Sequence, residues 1–311
     1  MSSTRDVPNA RKRQYLRVAL GLVRDAGNDG IAPKELFPKA EIILQPYGVE
    51  TTPYAADSNV PRLRTIIRFM TIRAVKAGWL VKSSARWYIT PEGAEALDTY
   101  KSADGLFSAA MKAYKEWKTS TTQSTDSEIV DVIEVPSDDA TAFNDGDDLV
   151  AARLDSARDT AAEAIRAHLE AMKEYPFQDM IAALLSAMGY HVAWVAPPGP
   201  DGGIDMLVYA DPLGAQKPRI KVQVKHGSDP VSRNTLEQFF GVLGPSDVGI
   251  FVSRRGFTKD ASREARHDKI RQVTLLDADE LVKLWIKHYA SMSEEQKAFM
   301  RIEPVYFLAP D

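Results

Sequence analysis

Hydrophobic positions along this chain follow two rhythms, a helical one and a period-two one, and both occur in each half. Residues 11–26 place Tyr15, Leu16, Ala19, Leu22, Val23 and Ala26 at helical spacing, and Gly27-Asn28-Asp29-Gly30 stops the run. A short second helix is expected over Pro33 to Phe37, and an irregular stretch over 44–60, where Pro46, Gly48 and Pro53 interrupt any period. Pro61 to Ala77 carries the strongest helical pattern of the front half, with Leu63, Ile66, Ile67, Met70 and Ala74 inside one arc of about 100°. The segments WLVKSS and ARWYIT then read as two strands of a hairpin, closed by Thr90-Pro91-Glu92-Gly93. Helix, helix, basic helix, hairpin is the order of a winged helix-turn-helix.

The rear half opens with a long helix from Leu149 to about Tyr175, rich in Ala, Glu and Arg, and Pro176 is expected to end it. FQDMIAALLSAMG follows as a second helix closed by Gly189. Then come the strand HVAWVA, two strands within GPDGGIDMLVYADPLGAQKPRIKVQVKH, and alternating helices and strands: RNTLEQFFGVLG, VGIFVS, TKDASREARHD, RQVTLLD and ADELVKLWIKHY. That order predicts an α/β domain, a mixed sheet flanked by helices. The pattern divides the chain into a winged-helix-like domain over 1–100, a helix plus acidic flexible linker over 101–148, and an α/β domain over 149–311.

Charge sharpens this division. Residues 1–100 carry fifteen Lys/Arg against ten Asp/Glu, while 101–150 carry four against eleven, so the net charge of -4 averages over unlike parts. Between Ser58 and Pro91 stand seven basic residues, Arg62, Arg64, Arg68, Arg73, Lys76, Lys82 and Arg86, and no acid. A solvated helix face is the bland account of such charge. So long a run without acids, followed by a hairpin, points instead to duplex DNA, whose phosphates and guanine edges arginine binds. Residues 119–148 hold nine acids and no base, the composition of a self-repelling tether. That tether competing with DNA for the basic domain is a further reading. No cysteine occurs, which excludes disulfides and thiolate metal sites and fits a reducing compartment such as the cytoplasm. No apolar run suits a signal peptide or a bilayer span, and no GxxxxGK[ST] loop is present for a nucleoside triphosphate.

The candidate chemistry lies in the second half. Ile220, Val222 and Val224 alternate with Lys221, Gln223 and Lys225, so the polar set shares one strand face. Asp205 opens the neighbouring strand after a glycine-rich turn. A carboxylate, an amide oxygen and an ammonium at one corner suit phosphodiester hydrolysis. Asp205 would be the main metal ligand, with the side-chain oxygen of Gln223 and the backbone oxygen of Val224 completing the protein's share. Lys225 would steady the attacking hydroxide and the developing charge. All-oxygen ligands favour Mg²⁺ or Mn²⁺. An exposed strand that happens to alternate is the competing account of I-K-V-Q-V-K, and Asp205 alone fits a turn or an ion pair.

These residues, together with FQDMIAALLSAMGY, GPDGGID, VQVK, VGIFVSRRGFTKDASREAR and VTLLDADELVKLW, make the chain resemble the Mrr-like type IV restriction endonucleases, within the PD-(D/E)xK superfamily. The resemblance covers about residues 175–287 and implies a restriction-endonuclease-like core. The front half, at AVKAGWL and RWYITPEG, resembles the winged-helix domain that often precedes this nuclease. The resemblance implies that Asp205 is the metal-binding aspartate and Lys225 the catalytic lysine. Gln223 stands where many superfamily members carry an acid and the Mrr-like branch carries glutamine. Members often have a glutamate on the helix before the first strand; here Gln178 takes that place, with Asp179 beside it. The family cuts DNA bearing modified bases and acts as dimers or larger assemblies. Cutting both strands needs two active sites, which also favours a homodimer or higher homo-oligomer.

Three functions therefore compete. The first is a metal-dependent endonuclease restricting methylated foreign DNA. The second is a DNA-binding regulator with an inactive nuclease fold, since Gln178 and Gln223 are both neutral. The third is a structure-selective nuclease resembling a junction resolvase. The five histidines show no metal-ligand spacing, and Ser253, Arg254 and Arg255 read as a solvated loop near the site that is also able to reach phosphate.

Overall fold

The computed structural model describes residues 7–53, 59–83, 85–122, 145–199, 202–267 and 271–307. The chain divides into two compact units, one of residues 1–163 with 306–311 and one of residues 164–305. The tether read over 119–148 lies mostly outside the described residues.

The front unit contains helices α1 (Asn9–Asp25), α2 (Pro33–Leu44) and α3 (Arg62–Lys76), then an antiparallel hairpin of β1 (Leu80–Ser83) and β2 (Arg86–Ile89). Helices α4 (Pro91–Thr99) and α5 (Ala103–Thr122) follow, and α6 (Asp145–Ala171) begins in this unit. Every apolar residue of the expected α3 arc, Leu63, Ile66, Ile67, Met70 and Ala74, is fully buried. They pack with Tyr15, Leu20, Leu36 and Trp87 in one core. Thr90 caps α4, its hydroxyl accepting Gly93 N–H at 3.0 Å.

Helix α2 runs to Leu44 rather than stopping near Phe37, with Pro38 inside it. Leu36, Phe37, Ala40 and Leu44 bury one face, and this packing outweighs the hydrogen bond that Pro38 removes. Helix α6 ends at Ala171, and Pro176 sits in the first turn of α7 (Glu174–Ala187). An N–H missing there has no intrahelical partner to lose, so Pro176 starts a helix instead of ending one.

The rear unit is a five-stranded sheet in the order β3 (His191–Val195), β4 (Met206–Tyr209), β5 (Arg219–Lys225), β6 (Asp247–Ser253), β7 (Gln272–Asp277). The pairs β3–β4 and β4–β5 are antiparallel, and β5–β6 and β6–β7 are parallel. Parallel neighbours need crossovers, supplied by α8 (Arg233–Val242) and α9 (Lys259–His267). Strand alternation gives the two sheet faces different partners. Ile220, Val222, Val224 and Val252 join Phe177 and Leu184 of α7 and Trp285 of α10 (Ala278–His288) in one core. Phe251, on the opposite face, packs with Leu236, Phe239 and Phe240 of α8 and Ala261 of α9. Gly249 permits this approach, because a Cβ there would lie 2.7 Å from the Phe239 ring.

The start of β6 is pinned to β5 by charge. Arg219 Nε reaches Asp247 Oδ1 at 2.9 Å, Lys221 Nζ reaches Oδ2 at 2.9 Å, and Gly244 N–H donates to Oδ2 at 2.8 Å. Burial alone would raise the Asp247 carboxyl, but these donors outweigh it and hold it well below the usual carboxylate range. Its stabilisation is therefore complete above the unfolded pKa near 4 and lost as pH falls through the depressed folded value. Asp247→Asn is expected to cost about 1.5–2 kcal/mol at pH 7. In urea titrations at several pH values, the gap from wild type should narrow only below about pH 4. A gap of constant size across that range would contradict the ionic account.

Candidate active site

The approach to the site is a turn in which Gly202 and Gly203 hold φ of 68° and 83°, a region that side chains with a Cβ adopt at a cost. The turn delivers Asp205 to the start of β4, where it is 9% exposed. Asp205 N–H donates to Val222 O at 2.8 Å, and Asp205 Oδ2 accepts Val224 N–H at 2.7 Å. The carboxylate thus takes the place of the next ladder partner along β5. A residue's N–H and C=O point to the same side of a strand, so Val224 O is also aimed at this edge. Gln223, half-buried, and Lys225, exposed, lie on the sheet face of Phe251 and Ser253, their register partners on β6.

Four of the sequence candidates, Asp205, Gln223, Val224 and Lys225, are therefore neighbours at one end of β5. The donors that Asp205, Gln223 and Val224 offer are all oxygens, with one formal charge among them. That set fits a hard divalent ion that keeps several waters and takes further oxygens from a phosphate. Among the described residues no group of three His, Cys, Asp or Glu is gathered for a metal.

Gln178 has a different use. It is 4% exposed on α7, and its Nε2 donates to Ala196 O at 2.9 Å. Ala196 N–H in turn donates to Asp205 O at 2.8 Å. The amide therefore positions the backbone that carries Asp205. Asp179 is exposed on α7. Glutamate at 178 would serve a metal better than glutamine, but an ionised carboxylate has no proton for Ala196 O. Gln178→Glu is accordingly expected to lower cleavage by about tenfold through misplacement of Asp205. Single-turnover rates on duplex DNA measure this, and a rate equal to or above wild type would mean that position 178 acts as a ligand.

Of Ser253, Arg254 and Arg255, read as a solvated loop, only Arg255 is exposed. Ser253 is 1% exposed, and its hydroxyl has no hydrogen-bond partner among the described residues. Arg254 N–H donates to Lys225 O at 3.2 Å, while its Nη1 donates to Glu170 O at 2.8 Å, a carbonyl left open at the end of α6. His226 Nε2 lies 2.6 Å from Met172 O. Arg254 and His226 thus fasten the end of β5, with Lys225, to the end of α6. Arg255 forms a half-exposed pair with Glu170 at 2.9 Å, a contact of little energetic weight.

Residues 169–285 match the family model of a restriction endonuclease domain of the Mrr type. The chain carries a restriction-endonuclease-like domain. The match spans well under half of the chain and contains Gln178, Asp205, Gln223 and Lys225. Among solved structures, the MspJI restriction endonuclease in complex with a 27-mer oligonucleotide is similar at 16% identity, over 56% of this chain and 40% of that one, with a TM-score of 0.31. No curated protein matches the chain. No described helix is long and apolar enough to cross a membrane.

The candidate DNA contacts of the front unit are mostly engaged within it. Arg64 Nε reaches Glu41 Oε1 at 2.6 Å, and Arg86 donates to Asp29 O at 2.7 Å and Gly30 O at 2.8 Å. Arg62 Nε donates to Pro53 O at 3.3 Å, and Arg73 lies 5.9 Å from the centre of the Phe69 ring. Lys76 is exposed, while Arg68 and Lys82 pair with acids of α6.

Proposed function

We propose that this protein is a metal-dependent DNA endonuclease of the restriction type, acting on modified, methylated DNA in the cytoplasm as a homodimer or larger homo-oligomer. The front unit, read as a winged-helix domain, binds duplex DNA, and the rear unit hydrolyses its backbone. One observation carries the reading: in a restriction-endonuclease-like domain, Asp205 accepts the N–H of Val224, next to Lys225. Asp205, the Gln223 amide oxygen and Val224 O would hold Mg²⁺ or Mn²⁺, which supplies Lewis acidity toward the scissile phosphate when bound. Lys225 holds the attacking water and offsets negative charge as it builds on the phosphate oxygens. Water adds across a P–O bond, and the proton it loses is matched by one gained at the leaving oxygen.

Methylated and unmethylated forms of one plasmid, incubated with the protein and Mg²⁺ or Mn²⁺, test the substrate class. Cutting confined to the methylated form is the expected result. Equal cutting of both forms would remove modification dependence from the account. A second reading, a DNA-binding regulator with an inactive fold, draws on the single carboxylate at the site. It predicts duplex binding with no cutting of either plasmid.

A further inference from the structure

Two cations of the front unit, Arg68 and Lys82, are turned inward. Arg68, on α3, is 6% exposed, and its Nη1 reaches Asp155 Oδ2 at 3.0 Å and Asp159 Oδ2 at 2.5 Å. Lys82, on β1, shares Asp155 Oδ2 at 2.7 Å. Lys34, on α2, reaches Glu163 Oε1 at 2.5 Å in a largely exposed pair that extends the row and adds little energy. The three acids recur every fourth residue of α6, so they form one stripe about 6 Å per step. Their cationic partners come from three elements, α2, α3 and the hairpin. Aromatic rings back the cations: Phe37 lies 5.1 Å from the Arg68 guanidinium, and Trp87 lies 4.1 Å from Lys82 Nζ.

A row of carboxylates at helical spacing offers cations what a nucleic-acid strand offers, anionic oxygens in series along a line. Little else anchors this part of α6: among the described residues, Ala152 is its one side chain in the front core. We propose that the face formed by α2, α3 and the hairpin is the duplex-DNA surface of the front unit, and that the Asp155, Asp159 and Glu163 stripe of α6 occupies it in the free chain as a mimic of phosphates. DNA and this stripe then exclude each other, and α6 leaves the face when duplex binds. The proposal rests on the reading of the front unit as DNA-binding.

The energetics favour such an exchange. The Arg68, Lys82, Asp155 and Asp159 side chains are between 8% and 15% exposed. Burial pushes the Asp159 carboxyl up despite its bond to Arg68, and burial pushes the Lys82 ammonium down despite Asp155. Desolvation of the charges is thus incompletely offset by their pairing. A duplex offers the same cations a denser array of anions, and its binding is driven further by released counterions. If α6 were instead a permanent wall of the unit, its acids would only neutralise Arg68 and Lys82.

The test uses the full chain with Asp155→Asn and Asp159→Asn together. Binding to a fluorescent duplex is measured by anisotropy without divalent ions, so that cleavage plays no part. The variant should bind at least about tenfold more tightly than wild type. Its log-affinity against log-salt slope should be no shallower than that of wild type, because Arg68 and Lys82 meet phosphate in both bound states once α6 has left the face. The tighter binding should disappear when Arg68→Gln and Lys82→Gln are added. Hydrogen exchange on the wild-type chain gives an independent reading, which stands even if the variant fails to fold: adding duplex should speed exchange of amides in α6 between 150 and 163. Unchanged affinity in a folded variant, or slower exchange in α6 with duplex bound, would overturn the masking while leaving DNA binding intact. Failure of both chains to bind duplex at low salt would overturn the DNA-binding reading of the front unit and the proposal with it.

Discussion

Asp205→Asn is expected to reduce single-turnover cleavage of duplex DNA by roughly 10³-fold while leaving the protein folded. The two effects separate because Asp205 performs two tasks. Its Oδ2 accepts Val224 N–H at 2.7 Å, which ties the start of β4 to β5. An asparagine oxygen accepts that bond equally, so the strand edge is retained. The lost feature is the one formal charge among the oxygen donors, which the neutral Gln223 amide and the Val224 carbonyl do not replace. Thermal melting should therefore change little, and the rate should collapse. Asp205→Ala removes both tasks and should lower stability as well. If Asp205→Asn cut at even a tenth of the wild-type rate, the charge of Asp205 would not be what holds the metal.

Trp285→Ala is expected to destabilise the rear unit by about 3–5 kcal/mol, the cost of emptying a large buried site. Trp285 has no exposed surface, and its Nε1 donates to Met300 O at 3.0 Å. It belongs to the same core as Val222 and Val224, so it supports the strand whose opposite face carries Gln223 and Lys225. The truncation leaves a cavity and an unpaired carbonyl together. With total stabilities of about 5–15 kcal/mol for ordinary domains, such a loss is large enough to weaken cleavage at growth temperature through unfolding alone. The midpoint of chemical denaturation should fall with its slope unchanged. A loss below about 1 kcal/mol would show that the site collapses around the smaller side chain.

Much of the rear sheet was legible because its signals are local. Period-two alternation in β5 separates Ile220, Val222 and Val224 from Lys221, Gln223 and Lys225, and the sheet buries the first set against α7 and α10. The arc on α3 was legible for the same reason. What a local window does not contain is the partner. Arg68 falls outside the apolar arc yet is buried, because acids 87 and 91 residues later cover it. Gln178 looks like an acid replaced by its neutral counterpart until Ala196 O, 18 residues on, shows the amide donor to be the useful group. Arg254 resembles a loop arginine within reach of phosphate, and only the fold brings the end of α6 to it. Pro176 misled in a related way, since a proline in the first turn of a helix costs it no hydrogen bond.

Whether the corner of Asp205, Gln223, Val224 and Lys225 hydrolyses DNA with a divalent ion is read most directly from one reaction. Supercoiled methylated plasmid is incubated with purified wild-type protein, with Mg²⁺ and with chelator, beside Lys225→Ala. Nicked or linear product is expected from wild type with Mg²⁺ only, and almost none from the variant. Cutting by Lys225→Ala at the wild-type rate would contradict this assignment, as would a folded wild-type protein that binds the plasmid and leaves it intact with both Mg²⁺ and Mn²⁺.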